Sequence, residues 1–151
     1  MNNLVEKEEI KIENMIYEIR GKQVILDSDL VKLYQCANGT KTINQAVLRN
    51  FDRFPEDFYF QLIKEEFNNS KSQIGTSSSI IHGGVRKLPY VFTEQGVAML
   101  SSVLRTSIVA KISIDIMRAF VAMRKYISSN LIEQKYINNM VIKHDEDIKL
   151  L

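Results

Sequence analysis

The sequence predicts an α+β fold, a mostly helical single domain with a small N-terminal β-hairpin, a helix-turn-helix-like pair, a second short strand pair joined by a wing-like loop, and a C-terminal helical extension. Two observations carry this. Short runs rich in β-branched and aromatic residues are bounded by turn residues, and longer stretches repeat apolar residues every three or four positions. The length sets the scale: 151 residues with 45% apolar content can build one core and an extension, not two cores of ordinary size.

Residues 15–26, MIYEIRGKQVIL, read as two strands joined at Arg20-Gly21-Lys22, where Gly21 can supply the positive φ of a tight hairpin turn. Asp27 or Ser28 can cap a helix with Leu30, Leu33 and Tyr34 on one face, and Asn38-Gly39 is the turn signal that should stop it. A second helix over about Lys41 to Asn50 follows from Ile43, Ala46, Val47 and Phe51, which recur as a buried stripe. Pro55 ends the next turn, Phe58 to Leu62 reads as a strand, and residues 64–72 resume helical character. Residues 72–87 are polar, glycine-rich and aperiodic, as in a loop. Leu88 to Phe92 is strand-like, and its Pro89 suggests an edge position.

Thr93 suits the cap of a helix carrying Val97, Leu100, Val103 and Leu104 on one side. A longer helix over about 107–128 carries Ile112, Ile116, Phe120, Met123 and Ile127 as a stripe, widened by Ile108, Ile114, Met117 and Val121. In the tail, Ile127, Asn130, Gln134, Ile137, Val141, His144, Ile148 and Leu151 alternate spacings of three and four, which is a heptad seam with three polar members. Three regions result: an acidic arm over 1–14, a domain over 15–128, and a helical tail over 129–151. The tail is a candidate for homodimerisation through 127–151, for packing on its own domain, or for linking to further chain.

Composition narrows the classes. The arm lacks the apolar core of a signal peptide, no run approaches the roughly 18 apolar residues of a membrane span, and a lone Cys36 excludes an internal disulfide, so a cytoplasmic protein is expected. The net charge is only +2, but residues 19–128 hold 15 Lys and Arg against 9 Asp and Glu, while both ends are acidic. A basic body suits a polyanionic partner. Only His82 and His144 occur, neither at metal-site spacing, and no phosphate-binding glycine loop or nucleophile elbow is present. Asp27 with Asp29 reads as first-turn charge, and Asp145-Glu146-Asp147 as a solvated face. Neither an enzyme nor a cofactor is expected.

Two helices separated by a short glycine-containing turn, the second with a polar outer face, form a helix-turn-helix pattern. Asn44 or Gln45 can present a carboxamide to adenine N6 and N7, and Arg49 can reach guanine or phosphate. Lys41 has the reach for phosphate, and Thr42 for a thymine methyl or a phosphate oxygen. Arg86 and Lys87 lie near the end of the loop, as in a basic wing. Exposed Asn, Gln and Arg are also ordinary solvated residues, so the pattern alone leaves both readings open.

The motifs Ile19-Arg20-Gly21, Asp29-Leu30-Val31-Lys32-Leu33-Tyr34, Ile43-Asn44-Gln45-Ala46-Val47, the RFPEDF stretch from Arg53, Pro89 to Leu100, and Ile116-Met117-Arg118-Ala119-Phe120 occur in order. Through them the chain resembles the KilA-N-related DNA-binding domains, specifically the ORF-six-N branch at the front of phage antirepressor-like proteins, over about residues 15–126. The resemblance implies sequence-directed binding of double-stranded DNA, a place in phage or mobile-element gene control, and no catalysis. It implies a DNA face of Asn44, Gln45, Arg49, Asn50 and Arg53, with Phe54-Pro55 fixing a turn against the core. The segment QCANGTKT from Gln35 departs from the family pattern, as does the apolar Ile80-Ile81 of the wing. A competing expectation is a module that grasps a repressor protein through the tail or the long helix.

Overall fold

A computed structural model describes residues 11–69 and 87–149, with side chains as far as Lys143. The arm, most of the expected wing loop, and the seam side chains from His144 onward lie outside the described residues. After a 3-10 turn at Ile12–Met15 come β1 (Ile16–Ile19), β2 (Lys22–Leu26), α1 (Asp27–Tyr34) and α2 (Thr40–Arg49). A 3-10 turn at Phe51–Arg53 leads to β3 (Tyr59–Gln61), α3 (Lys64–Asn69), β4 (Tyr90–Phe92), α4 (Glu94–Leu104) and α5 (Ser107–Lys149). The fold is α+β, as expected.

Both central residues of the β1–β2 turn, Arg20 and Gly21, have positive φ, which matches the right-handed twist of the strands they join. The two strand pairs merge into one antiparallel sheet of order β1-β2-β4-β3, through pairing of Ile25 with Phe92 and Leu26 with Val91. β4 is therefore an interior strand, not the edge that Pro89 suggested. Pro89 precedes the strand and needs no donor there; its carbonyl accepts from the Leu62 amide at 2.9 Å.

Strand alternation divides the core. Ile16, Ile25 and Phe92 point to one face, where they meet Leu30 and Tyr34 of α1, Ile43 and Val47 of α2, Val97 and Leu100 of α4, and Ile116 and Phe120 of α5. Ile19, Val24, Leu26, Phe60, Leu62 and Val91 point to the other, where Phe67 of α3 packs. Arg20 at the hairpin tip clamps α3 through a two-point ion pair with Glu66, at 2.6 and 2.9 Å, while lying 4.2 Å over the Phe60 ring. That bond draws the Glu66 carboxyl below its ordinary pKa.

Several local expectations change. α1 ends at Tyr34, four residues before Asn38, because Gln35 turns into the left-handed region at φ 57° and its amide closes on Lys32. Leu26 holds the capping position of α1, and Asp27 is buried inside the first turn. Thr93 does cap α4, its Oγ1 accepting from the Gly96 amide at 3.3 Å. Ile114 and Val121 face outward and do not widen the core stripe of α5. α5 itself runs unbroken through the expected boundary at 128 to Lys149. Its side chains are exposed from Ser128 to Lys143, so that stretch does not pack on the body.

Candidate nucleic-acid interface

α2 is fixed at both ends by backbone chemistry. Gly39 takes φ 65°, ψ −152°, a conformation closed to residues with a Cβ, and starts the helix without a side-chain cap. At the other end the Asn50 amide nitrogen donates to Ala46 O at 2.8 Å and its backbone amide to Val47 O at 3.0 Å. The inner face holds Ile43 and Val47, both fully buried against α1 and α4.

The outer face carries Lys41, Gln45 and Arg49 at intervals of four residues, so the three line up along one edge, all exposed. Over ten residues this edge is about 15 Å long. Among the described residues these three side chains carry no hydrogen bond or ion pair. Thr42 and Asn44 are half-buried flanks of the same face. Asn50 is half-buried and already engaged, so its part is to close the helix; Arg53 stands exposed on the following turn. The structure thus brings Lys41, Thr42, Asn44, Gln45 and Arg49 onto one face and separates Asn50 from it by function.

Phe51 does not join the buried stripe. It is 65% exposed, next to Leu48 at 69%, because α2 ends at Arg49 and the chain tightens, which breaks the four-residue spacing from Val47. Phe54 takes the buried place instead, edge-on to Tyr59 and Phe92 at ring separations of 6.0 and 6.3 Å, and so fixes the turn against the core. Periodicity already turns Leu48 outward with the polar residues, so the exposure of Phe51 is the part that the sequence did not show. Its only signal was the helix stop at Asn50.

Of the expected wing pair, Arg86 lies outside the described residues. Lys87 is exposed, with Nζ 5.5 Å from the centre of the Tyr90 ring, which stacks on Tyr59. It also faces Asp27, whose carboxyl burial pushes up to about 6 against the opposing pull of the Tyr90 and Ser28 amides and of Lys87. Elsewhere a groove of about 760 Å³ opens between the hairpin turn, the start of α4 and α5, where Arg124 pairs with Glu94. It is separate from the outer face of α2. Among the described residues no three His, Cys, Asp or Glu side chains gather, and no helix is long and apolar enough to cross a membrane.

Comparison with curated proteins and with solved structures returns no match. Among protein-family models, the ORF6N domain matches residues 14–103, a span that takes in the sheet, α1, α2 and nearly all of α4, and stops before α5.

Proposed function

Since the chain belongs to the ORF6N family of phage-associated regulatory domains, we propose that it binds double-stranded DNA in a sequence-directed manner, as a cytoplasmic regulator of the antirepressor type. One observation carries the reading: an exposed edge of Lys41, Gln45 and Arg49, with no internal partners, on a helix whose other face is locked into the core. A helix of this length fits the major groove, and a rigid mount lets side chains select among bases. In this assignment Gln45 and Asn44 read base edges, Arg49 reads guanine or holds phosphate, and Lys41, Thr42 and Arg53 position the backbone. Lys87 contributes to phosphate from the sheet end, together with Arg86.

The test is a fluorescence titration against sites selected from a random DNA pool, repeated across salt concentration. Affinity is expected to fall steeply with salt. Gln45→Ala should relax preference at one base pair, an effect of about 1–3 kcal/mol, while Lys41→Ala weakens all sequences alike. Absence of binding at low salt sinks the proposal. Lys87→Ala needs a parallel stability measurement, because Lys87 also faces Asp27.

The exposed Leu48 and Phe51 favour a second reading, in which the same end of α2 grasps a repressor protein. Leu48→Ala with Phe51→Ala separates the two: it abolishes repressor capture under that reading and leaves the salt-dependent DNA affinity in place under the first.

A further inference from the structure

The core stripe of α5 does not stop where the body stops. Ile116, Phe120 and Met123 pack inward, at steps of four and three, and half-buried Ile127 follows four residues later at the edge of the body. Continuing in phase, Asn130, Gln134, Ile137 and Val141 follow at three, four, three and four, and all are exposed. Ile137 and Val141 are 52% and 53% exposed, with nothing among the described residues covering them. Most helix stability in proteins comes from packing an apolar face, and this stretch has none packed among the described residues.

We propose that this face binds the same face of a second copy of the chain, as a parallel two-stranded coiled coil in register from Ile127 onward. The 3.5-residue repeat is what a coiled-coil seam requires. β-branched Ile127 and Val141 in one of its two positions suit two parallel strands, β-branched Ile137 in the other leans toward more, and polar Gln134 between Ile127 and Val141 is the residue that fixes the number at two. The polar members select the partner. In register, Asn130 meets Asn130 and Gln134 meets Gln134, and a carboxamide is both donor and acceptor, so each finds its complement in its own copy. Gln134 gives one donor to Asn138 within the helix, at 3.1 Å, and keeps its carbonyl oxygen and second amide hydrogen for the seam. An antiparallel pair that matched Asn130 with Gln134 would bring Val141 onto Met123, which is already packed against its own core.

Sedimentation equilibrium of the full chain over a wide concentration range tests this, with Ile137→Asp on the seam and Ile132→Asp as control. Ile132 is 67% exposed on a different face of α5. The unmodified chain and Ile132→Asp should sediment at twice the chain mass, and Ile137→Asp should dissociate at least about a hundredfold more readily, since two charges would face each other in the seam. Near-ultraviolet circular dichroism of Ile137→Asp should stay unchanged, because the tail lies outside the body. In a Cys36→Ser background, Ile137→Cys should form an interchain disulfide on mild oxidation, reporting the parallel register. A monomer at all concentrations, a dimer that Ile137→Asp leaves intact, equal loss from both Asp variants, or an absent disulfide would each overturn the proposal.

Discussion

Asp27 is the most perturbed carboxyl among the described residues, and its burial has a definite pH signature. Its pKa rises from an ordinary 3.8 to about 6 because desolvation outweighs the two backbone amides and the nearby Lys87. The folded chain therefore holds this proton where the unfolded chain has released it. Stability should fall as pH rises from about 4 to about 6 and level off above, a loss on the order of 3 kcal/mol. Asn keeps one carbonyl oxygen to accept from the Ser28 amide and carries no titrating proton, so Asp27→Asn should flatten that part of the profile in urea melts at stepped pH. An unchanged slope would show that Asp27 does not drive it. A second buried polar pair, Tyr34 Oη and Ser113 Oγ at 2.6 Å, ties α1 to α5, and burial pushes the Tyr34 phenol up to about 12. Such pairs were invisible in sequence, because Ser113 sits on an apolar helix face with no sign of its partner 79 residues away.

At the scale of elements, the pose of α2 depends on the turn from Gln35 to Gly39. Asn38-Gly39 marked the turn correctly but not the end of α1, since the decisive residue is Gln35 in a left-handed conformation that no residue type announces. Gly39 is different. An added Cβ would meet no atom within 4 Å, so the barrier to substitution is backbone strain alone. Gly39→Ala should cost about 1–3 kcal/mol in thermal or urea melts and should reduce DNA affinity by reorienting the polar edge of α2. A variant as stable as the parent with unaltered binding would remove Gly39 from this role. The polar edge itself was legible, because helical periodicity separates Lys41, Gln45 and Arg49 from Ile43 and Val47. The exposed Phe51 was not, because periodicity fails one residue past a helix end.

For the whole molecule, the joining of two hairpin-like pairs into one four-stranded sheet gives the body its two cores, with helices on one side and α3 on the other. The sheet and α4 meet at Gly96, where a Cβ would lie 2.1 Å from the Phe58 carbonyl oxygen. That oxygen accepts from both the amide and the hydroxyl of Thr93, the residue that caps α4, so parting α4 from the chain entering β3 breaks both bonds. Gly96→Ala should destabilise the body by about 1–3 kcal/mol, read as a lowered urea midpoint. A midpoint equal to the parent's would mean the junction has slack. Beyond the body, the stripe of α5 stays exposed at Ile137 and Val141, so the proposed pairing of two copies draws on the tail and not on the domain.

By itself the sequence determined the hairpin, the two helices around the Asn38-Gly39 turn, the Thr93 cap and the heptad phase of α5, because each depends on residues close together along the chain. Tertiary structure decided which strand is interior, where α1 stops, that Phe51 is exposed while Phe54 is buried, and that α5 continues as one helix past the body. Those outcomes depend on which surfaces meet, and the energy of a buried face is set by its partner and not by its neighbours in sequence.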